Sequence, residues 1–124
     1  MDTSRPLTQG VTHNDIFPGN VLVKDRNVTA LLDWEEADCD WLIWDLACSL
    51  WPFCNTADNL RTEAVTEFVA AYRAAGGRVP PEEDDLIVPL LRGKRVLEVL
   101  RAPTDRDPRW DVQLANMRAY NALA

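Results

Sequence analysis

Four residues carry types and spacing that could do chemistry: His13, Asp15, Asn20 and Asp33. Asp15 and Asn20 stand five apart in the run His13-Asn14-Asp15-Ile16-Phe17-Pro18-Gly19-Asn20, and Asp33 closes an apolar stretch soon after. A carboxylate in a short loop can accept a hydrogen bond from a substrate hydroxyl. An asparagine five residues on can offer its amide oxygen to a metal a few ångströms away. A second carboxylate, brought back by a hairpin, supplies the hard oxygen ligand that magnesium prefers. Holding an attacking hydroxyl beside magnesium ions is what phosphoryl transfer asks of a protein. Asp15 is therefore the candidate catalytic carboxylate, and Asn20 and Asp33 are the candidate metal ligands. His13, a lone histidine beside an apolar strand, is read as structural support of the loop.

These residues need elements to position them. Val11 to His13 reads as a short strand entering the loop. Asn20 to Lys24 and Val28 to Asp33 read as two strands of a hairpin joined by Asp25-Arg26-Asn27, with Asn27 taking the left-handed place that a three-residue hairpin loop needs. Trp34 to Trp44 reads as a loop carrying Glu35, Glu36, Asp38 and Asp40. Trp44 to Trp51 reads as a buried helix with Asp45 near its start, where a carboxylate favours the helix dipole, and with Pro52 ending or turning it.

Further on, Asp58 to Ala75 shows apolar residues at helical spacing, a cap at Asp58 or Thr56, and a stop at Gly76-Gly77. Pro80 to Asp85 has the proline and acids of a helix start. That helix continues to Leu100, with Pro89 kinking or splitting it. Pro103 to Pro108 reads as a linker and Trp110 to Leu123 as a final helix. The predicted fold is α+β and mostly helical: a small β-hairpin carrying the catalytic loop, followed by a helical bundle.

The run HNDIFPGNVLV…VTALLDWEEA…WDLA resembles the catalytic segment of the aminoglycoside phosphotransferase and choline kinase family, which includes homoserine- and fructosamine-kinase-like members. The resemblance is dense from Thr12 to Ala47 and general beyond. It implies the C-terminal lobe of a protein-kinase-like fold, magnesium as cofactor, and ATP or GTP as co-substrate. It also implies a small hydroxyl-bearing acceptor. On the same ground Asp45, in Trp44-Asp45-Leu46-Ala47, braces the catalytic loop by hydrogen bonding; a simple helix cap is the competing reading. Glu35, Glu36 and Asp38, with Trp41 or Trp44, are candidate contacts for a cationic acceptor, against the plainer reading of a solvated acidic loop and core tryptophans.

The chain departs from the family pattern at Asn14, where glycine is common, at Phe17, where histidine is common, and at Trp41, where proline is usual. It shows no Gly-rich phosphate loop and no strand lysine with a helix glutamate partner; Lys24 and Lys94 lie outside that context. The expectation is a single domain over 1–124, the C-terminal lobe alone, inactive without its nucleotide-binding lobe. A non-catalytic binding or pseudokinase module that keeps the lobe fold is the alternative.

Composition sets outer bounds. The 124 residues suffice for one core, and 47% hydrophobic with 27% charged residues is an ordinary globular balance. A net charge of −7 argues against nucleic acid and anionic membrane surfaces, which select basic patches. No apolar run approaches the ~20 residues of a membrane span, and Met1 to Gly10 lacks the apolar core of a signal peptide. Three cysteines without paired spacing, and one histidine, fit free thiols in the cytoplasm rather than zinc. Self-association, or pairing with the missing lobe, is the expected partnership.

Overall fold

Residues 5–56 and 59–101 are described by the computed structural model. The linker Pro103 to Pro108, the final helix Trp110 to Leu123 and the cap at Asp58 lie outside the described residues. The fold is α+β and mostly helical. Three two-stranded antiparallel sheets precede or interrupt a group of three α-helices.

Helix α1, Leu42–Cys54, forms the centre. Its run Leu-Ile-Trp-Asp-Leu-Ala-Cys-Ser-Leu-Trp is apolar nearly all round, the pattern of a helix surrounded by protein. Ile43, Ala47 and Leu50 are fully enclosed, and Ile43 and Leu50 each contribute about 1.5–3 kcal/mol of burial. Against it pack α2, Thr62–Ala74, through Val69 and the half-buried Val65 and Phe68, and α3, Ile87–Arg101, through Ile87 and Leu91. Pro52 does not end α1 at once. It sits inside the last turn, and the helix runs two residues past it to Cys54.

Strand β1, Gln9–Thr12, pairs with β4, Asp38–Trp41, with Val11 opposite Cys39. The stretch expected as a loop from Trp34 to Trp44 thus contains a strand. Its Asp-Cys-Asp-Trp sequence offers only Trp41 as a strand former against two aspartates; the ladder to β1 and the Thr12 Oγ1 bond to the Asp38 carbonyl (3.1 Å) decide it. Strands β2, Val21–Lys24, and β3, Asn27–Leu31, form the expected hairpin. Its turn differs: Asn27 pairs with Lys24, and the loop is the two residues Asp25 and Arg26, both left-handed at φ 50° and 65°. A two-residue turn of that hand matches the strand twist, and a bulge between Leu22 and Val23 restores the register.

Between α1 and α2 lies a minimal strand pair, β5, Asn55–Thr56, and β6, Asn59–Leu60. It takes residues assigned by sequence to the start of α2, so that helix begins at Thr62 instead of Asp58. Its C-terminus follows the expected stop. Gly76 is left-handed at φ 91°, the Gly77 N–H bonds the Tyr72 carbonyl (2.8 Å), and the Gly76 N–H bonds that of Arg73 (3.0 Å).

Pro81–Leu86 winds as a 3-10 helix before α3 begins at Ile87. The split expected at Pro89 therefore falls slightly upstream. Pro89 has no N–H to give the Asp85 carbonyl, so the α-helical ladder cannot be carried across that point, and the tighter winding takes its place. Among the described residues no helix is long and apolar enough to cross a membrane.

Candidate active site

The loop between β1 and β2 is held at three points. His13 is almost wholly enclosed, with 2% exposure, and its ring lies 4.6 Å from that of Trp34. Nε2 stands 2.8 Å from the Leu32 carbonyl, which can only accept, so that nitrogen carries the hydrogen. Nδ1 is then a bare lone pair and accepts the Asp15 N–H at 3.3 Å. One imidazole in one tautomer thereby ties the Asp15 backbone to the segment leading into Asp33.

Asp45, in the first turn of α1, is the second point. Its Oδ2 accepts the His13 N–H at 3.0 Å and its Oδ1 accepts the Asn14 N–H at 2.8 Å. The carboxylate therefore reaches out of its helix to the loop. Bonds from backbone N–H to a charged acceptor contribute about 1.5–3 kcal/mol each. Its own carbonyl accepts the Ser49 hydroxyl at 2.8 Å.

Asn20 is the third point. Pro18–Asn20 forms one 3-10 turn, and the buried Asn20 side chain turns back on the loop. Its Nδ2 donates to the Asp15 carbonyl (2.9 Å) and to Asp15 Oδ2 (3.2 Å). With the nitrogen so engaged, Oδ1 is the atom left for a cation. The Asn20 carbonyl accepts the Leu32 N–H at 2.9 Å, which fixes Asp33 one residue beyond this junction.

Two of the four described non-glycine residues with positive φ belong to the hairpin turn. The other two are Asn14 at 67° and Asp33 at 61°. Strained backbone held by surrounding bonds is concentrated at functional sites. At Asn14 the strain also accounts for the departure noted above: a left-handed position suits glycine, and asparagine is among the side chains that tolerate it best. The Asn14 Nδ2 donates to the Glu36 carbonyl (2.9 Å), while its Oδ1 is enclosed without a partner.

Asp15 opens onto two cavities. One, of about 330 Å³, is lined by Asn14, Asp15, Glu36, Trp44, Lys94, Leu97 and Glu98. The other, of about 210 Å³, adds Phe17, Cys48 and Arg95 and shares Asp15, Lys94 and Glu98. Glu35, Asp38 and Trp41 line neither; of the two tryptophans put forward, Trp44 lines the larger cavity. Asp38 instead caps its own neighbour, accepting the Cys39 N–H at 2.7 Å. The walls from α3 were missed by sequence reasoning. Lys94 and Glu98 carry the (i, i+4) spacing of neighbours on a helix face, but nothing in the sequence says that this face meets Asp15. Burial pushes the Cys48 thiol from its ordinary 9.0 up to about 12, against the opposing pull of Lys94.

For magnesium the donor set is hard and sparse. The Asn20 amide oxygen and the Asp33 carboxylate are the candidates, and the described residues include no cluster of three or more acidic, histidine or cysteine side chains able to hold a metal. Two protein oxygens suit magnesium, which fills the rest of its shell with water and phosphate.

A profile of the phosphotransferase enzyme family matches residues 1–86. The chain belongs to that family. Curated relatives of this phosphotransferase-family chain are homoserine kinases. That of Methylobacillus glycogenes is 39% identical over 74 residues, covering 59% of this chain and 23% of the relative. That of Pseudomonas aeruginosa strain UCBPP-PA14 is 34% identical over 74 residues, 58% of this chain and 23% of the relative. That of Afipia carboxidovorans is 32% identical over 97 residues, 76% of this chain and 28% of the relative. The chain thus spans only 23% to 28% of the length of these three relatives.

Proposed function

We propose that this chain supplies the acceptor and metal side of a small-molecule phosphotransferase, with homoserine or a close hydroxylated amino acid as acceptor. The observation that carries the reading is the Asp15 carboxylate, held by Asn20 and by the His13–Asp45 frame at the mouth of two cavities. The homoserine kinase relatives supply the acceptor class. Homoserine carries an ammonium, so the choice narrows the expected small, cationic acceptor to an amino acid.

The acceptor hydroxyl donates its hydrogen to Asp15 and its oxygen attacks the γ-phosphorus of ATP or GTP. The bond from that phosphorus to the bridging oxygen breaks, the nucleoside diphosphate leaves with the electron pair, and the hydroxyl proton passes to Asp15. Asn20 and Asp33 would hold magnesium, which when bound neutralises phosphate charge. Most of the rate in such a site comes from position and charge. The nucleotide needs a lobe outside this chain, so the reading is of one lobe, working in the cytoplasm with its complement.

Transfer of labelled phosphate from nucleotide to L-homoserine is the test, run on the chain alone and joined to a nucleotide-binding lobe of this family. The joined protein is expected to transfer and the chain alone not. Asp15→Asn should lower turnover by about 100-fold or more with nucleotide affinity nearly intact. Asp33→Asn should weaken magnesium-nucleotide binding, because a charge leaves the ion's shell. A joined protein that binds nucleotide yet phosphorylates no hydroxyl compound ends the proposal, and the reverse pattern of the two variants ends the assignment of roles.

A further inference from the structure

Lys94 and Glu98 line both cavities at Asp15, one turn apart on α3, but their charges are differently placed. Glu98 is ion-paired with Arg95, whose guanidinium lies over the Trp51 ring at 5.0 Å. Its charge is largely spoken for. Lys94 is half-buried and makes no ion pair among the described residues. It shares the larger cavity with the carboxylates of Asp15 and Glu36. A cation with no ion pair among the described residues and two carboxylates therefore share a single small space.

We propose that Lys94 is a specificity-determining residue that binds the carboxylate of the acceptor, while Glu36 takes its ammonium and Asp15 takes its hydroxyl. The assignment rests on the phosphotransferase reading above and deepens it. A partly desolvated ammonium without a partner gains most from an anion that completes it, and a zwitterion satisfies the cation and the acceptors together. A nucleotide phosphate is the other anion Lys94 could meet. The cavity disfavours it: Asp15 and Glu36 would repel a polyphosphate, and Asn20 and Asp33, which suit metal and phosphate, line neither cavity.

The experiment is calorimetric binding of L-homoserine and of 3-amino-1-propanol, which lacks the carboxylate, to the full chain, and of magnesium-ATP to the chain joined to a nucleotide-binding lobe, each compared with Lys94→Met and Lys94→Arg. The unmodified chain is expected to bind L-homoserine about tenfold or more tighter than 3-amino-1-propanol, in line with one charge-assisted contact. Lys94→Met should erase that preference and leave 3-amino-1-propanol affinity as it was; Lys94→Arg should keep most of it. Equal affinity of the unmodified chain for the two compounds, no binding of either, or a Lys94→Met defect confined to magnesium-ATP each overturns the proposal. The comparison on the unmodified chain requires no variant to fold. Transfer to 3-amino-1-propanol as good as to L-homoserine would leave the phosphotransferase standing and remove the role of Lys94. Selective binding without transfer to any acceptor would do the opposite.

Discussion

The carboxylates at 15 and 45 serve one loop in different ways, and the structure separates what each should cost when removed. Asp45 is the acceptor for two backbone N–H groups of the loop, at 3.0 and 2.8 Å. Asp45→Ala leaves both donors without it, at ~1–3 kcal/mol for each one that stays enclosed. Asp15→Ala loses one long bond from Asn20 Nδ2, which keeps its 2.9 Å bond to the Asp15 carbonyl. A half-exposed functional carboxylate contributes little to stability, so Asp15→Ala should stay within about 1 kcal/mol of the parent. Urea denaturation of the two variants checks this, and coincident midpoints would remove the brace. Cys48 gives a second test at this scale. Its folded thiol is raised to about 12 by burial, so the folded state holds a proton that the unfolded chain releases from pH 9.0 upward. Stability from this group is whole below pH 9.0 and is lost as pH climbs toward 12, at up to about 1.4 kcal/mol per pH unit. Cys48→Ala should flatten the alkaline limb of the stability profile, and an unchanged limb would contradict the burial of the thiol. In the native chain the exposed Cys39 should react with a thiol reagent well before the buried Cys48 and Cys54.

At the scale of elements, the end of α2 isolates a single backbone effect. Gly76 is left-handed, and nothing lies near the place where a Cβ would stand. A side chain there meets no clash, so the cost is the backbone conformation alone, roughly 1 kcal/mol for Gly76→Ala, less for Gly76→Asn and more for Gly76→Val. Thermal unfolding in that order supports the cap; Gly76→Val as stable as the parent would discard it. This stop was legible in the sequence because Gly-Gly after a periodic helix has a local cause. The same holds for the hairpin around Asp25 and for α1. Strand β4 was not legible, since Asp38 to Trp41 becomes a strand only through its ladder to β1, a contact made 26 residues or more away. The early end of the 3-10 segment before Pro89 was legible in kind but not in place. The chemistry follows the same division. Asp15 and Asn20, five apart on one loop, could be paired from spacing, whereas Lys94 enters the site by the docking of α3 on α1, which no local pattern records.

For the molecule as a whole, the distribution of apolar surface bears on its state in solution. The helical group encloses its own core, yet the two larger strand pairs each stand as a two-stranded ribbon with open edges. Such ribbons are marginal unless covered, and open edges invite pairing with another chain. Val11, Val23 and Val28 are 74%, 61% and 64% exposed, and Leu100 near the end of α3 is 75% exposed. Apolar side chains at that exposure, repeated over neighbouring strands, favour association over a free monomer. The chain is therefore expected to self-associate in isolation, with the β2–β3 hairpin as the principal contact. Sedimentation at micromolar and higher concentration should show mass rising with concentration. Val23→Thr with Val28→Lys keeps strand-tolerant side chains at exposed positions, so the fold should survive while a charge on the hairpin opposes pairing. If the parent sediments as a monomer throughout, the expectation fails. If the double variant associates as strongly as the parent, the contact lies elsewhere, and the face of α3 carrying Leu97 and Leu100 is the next surface to change.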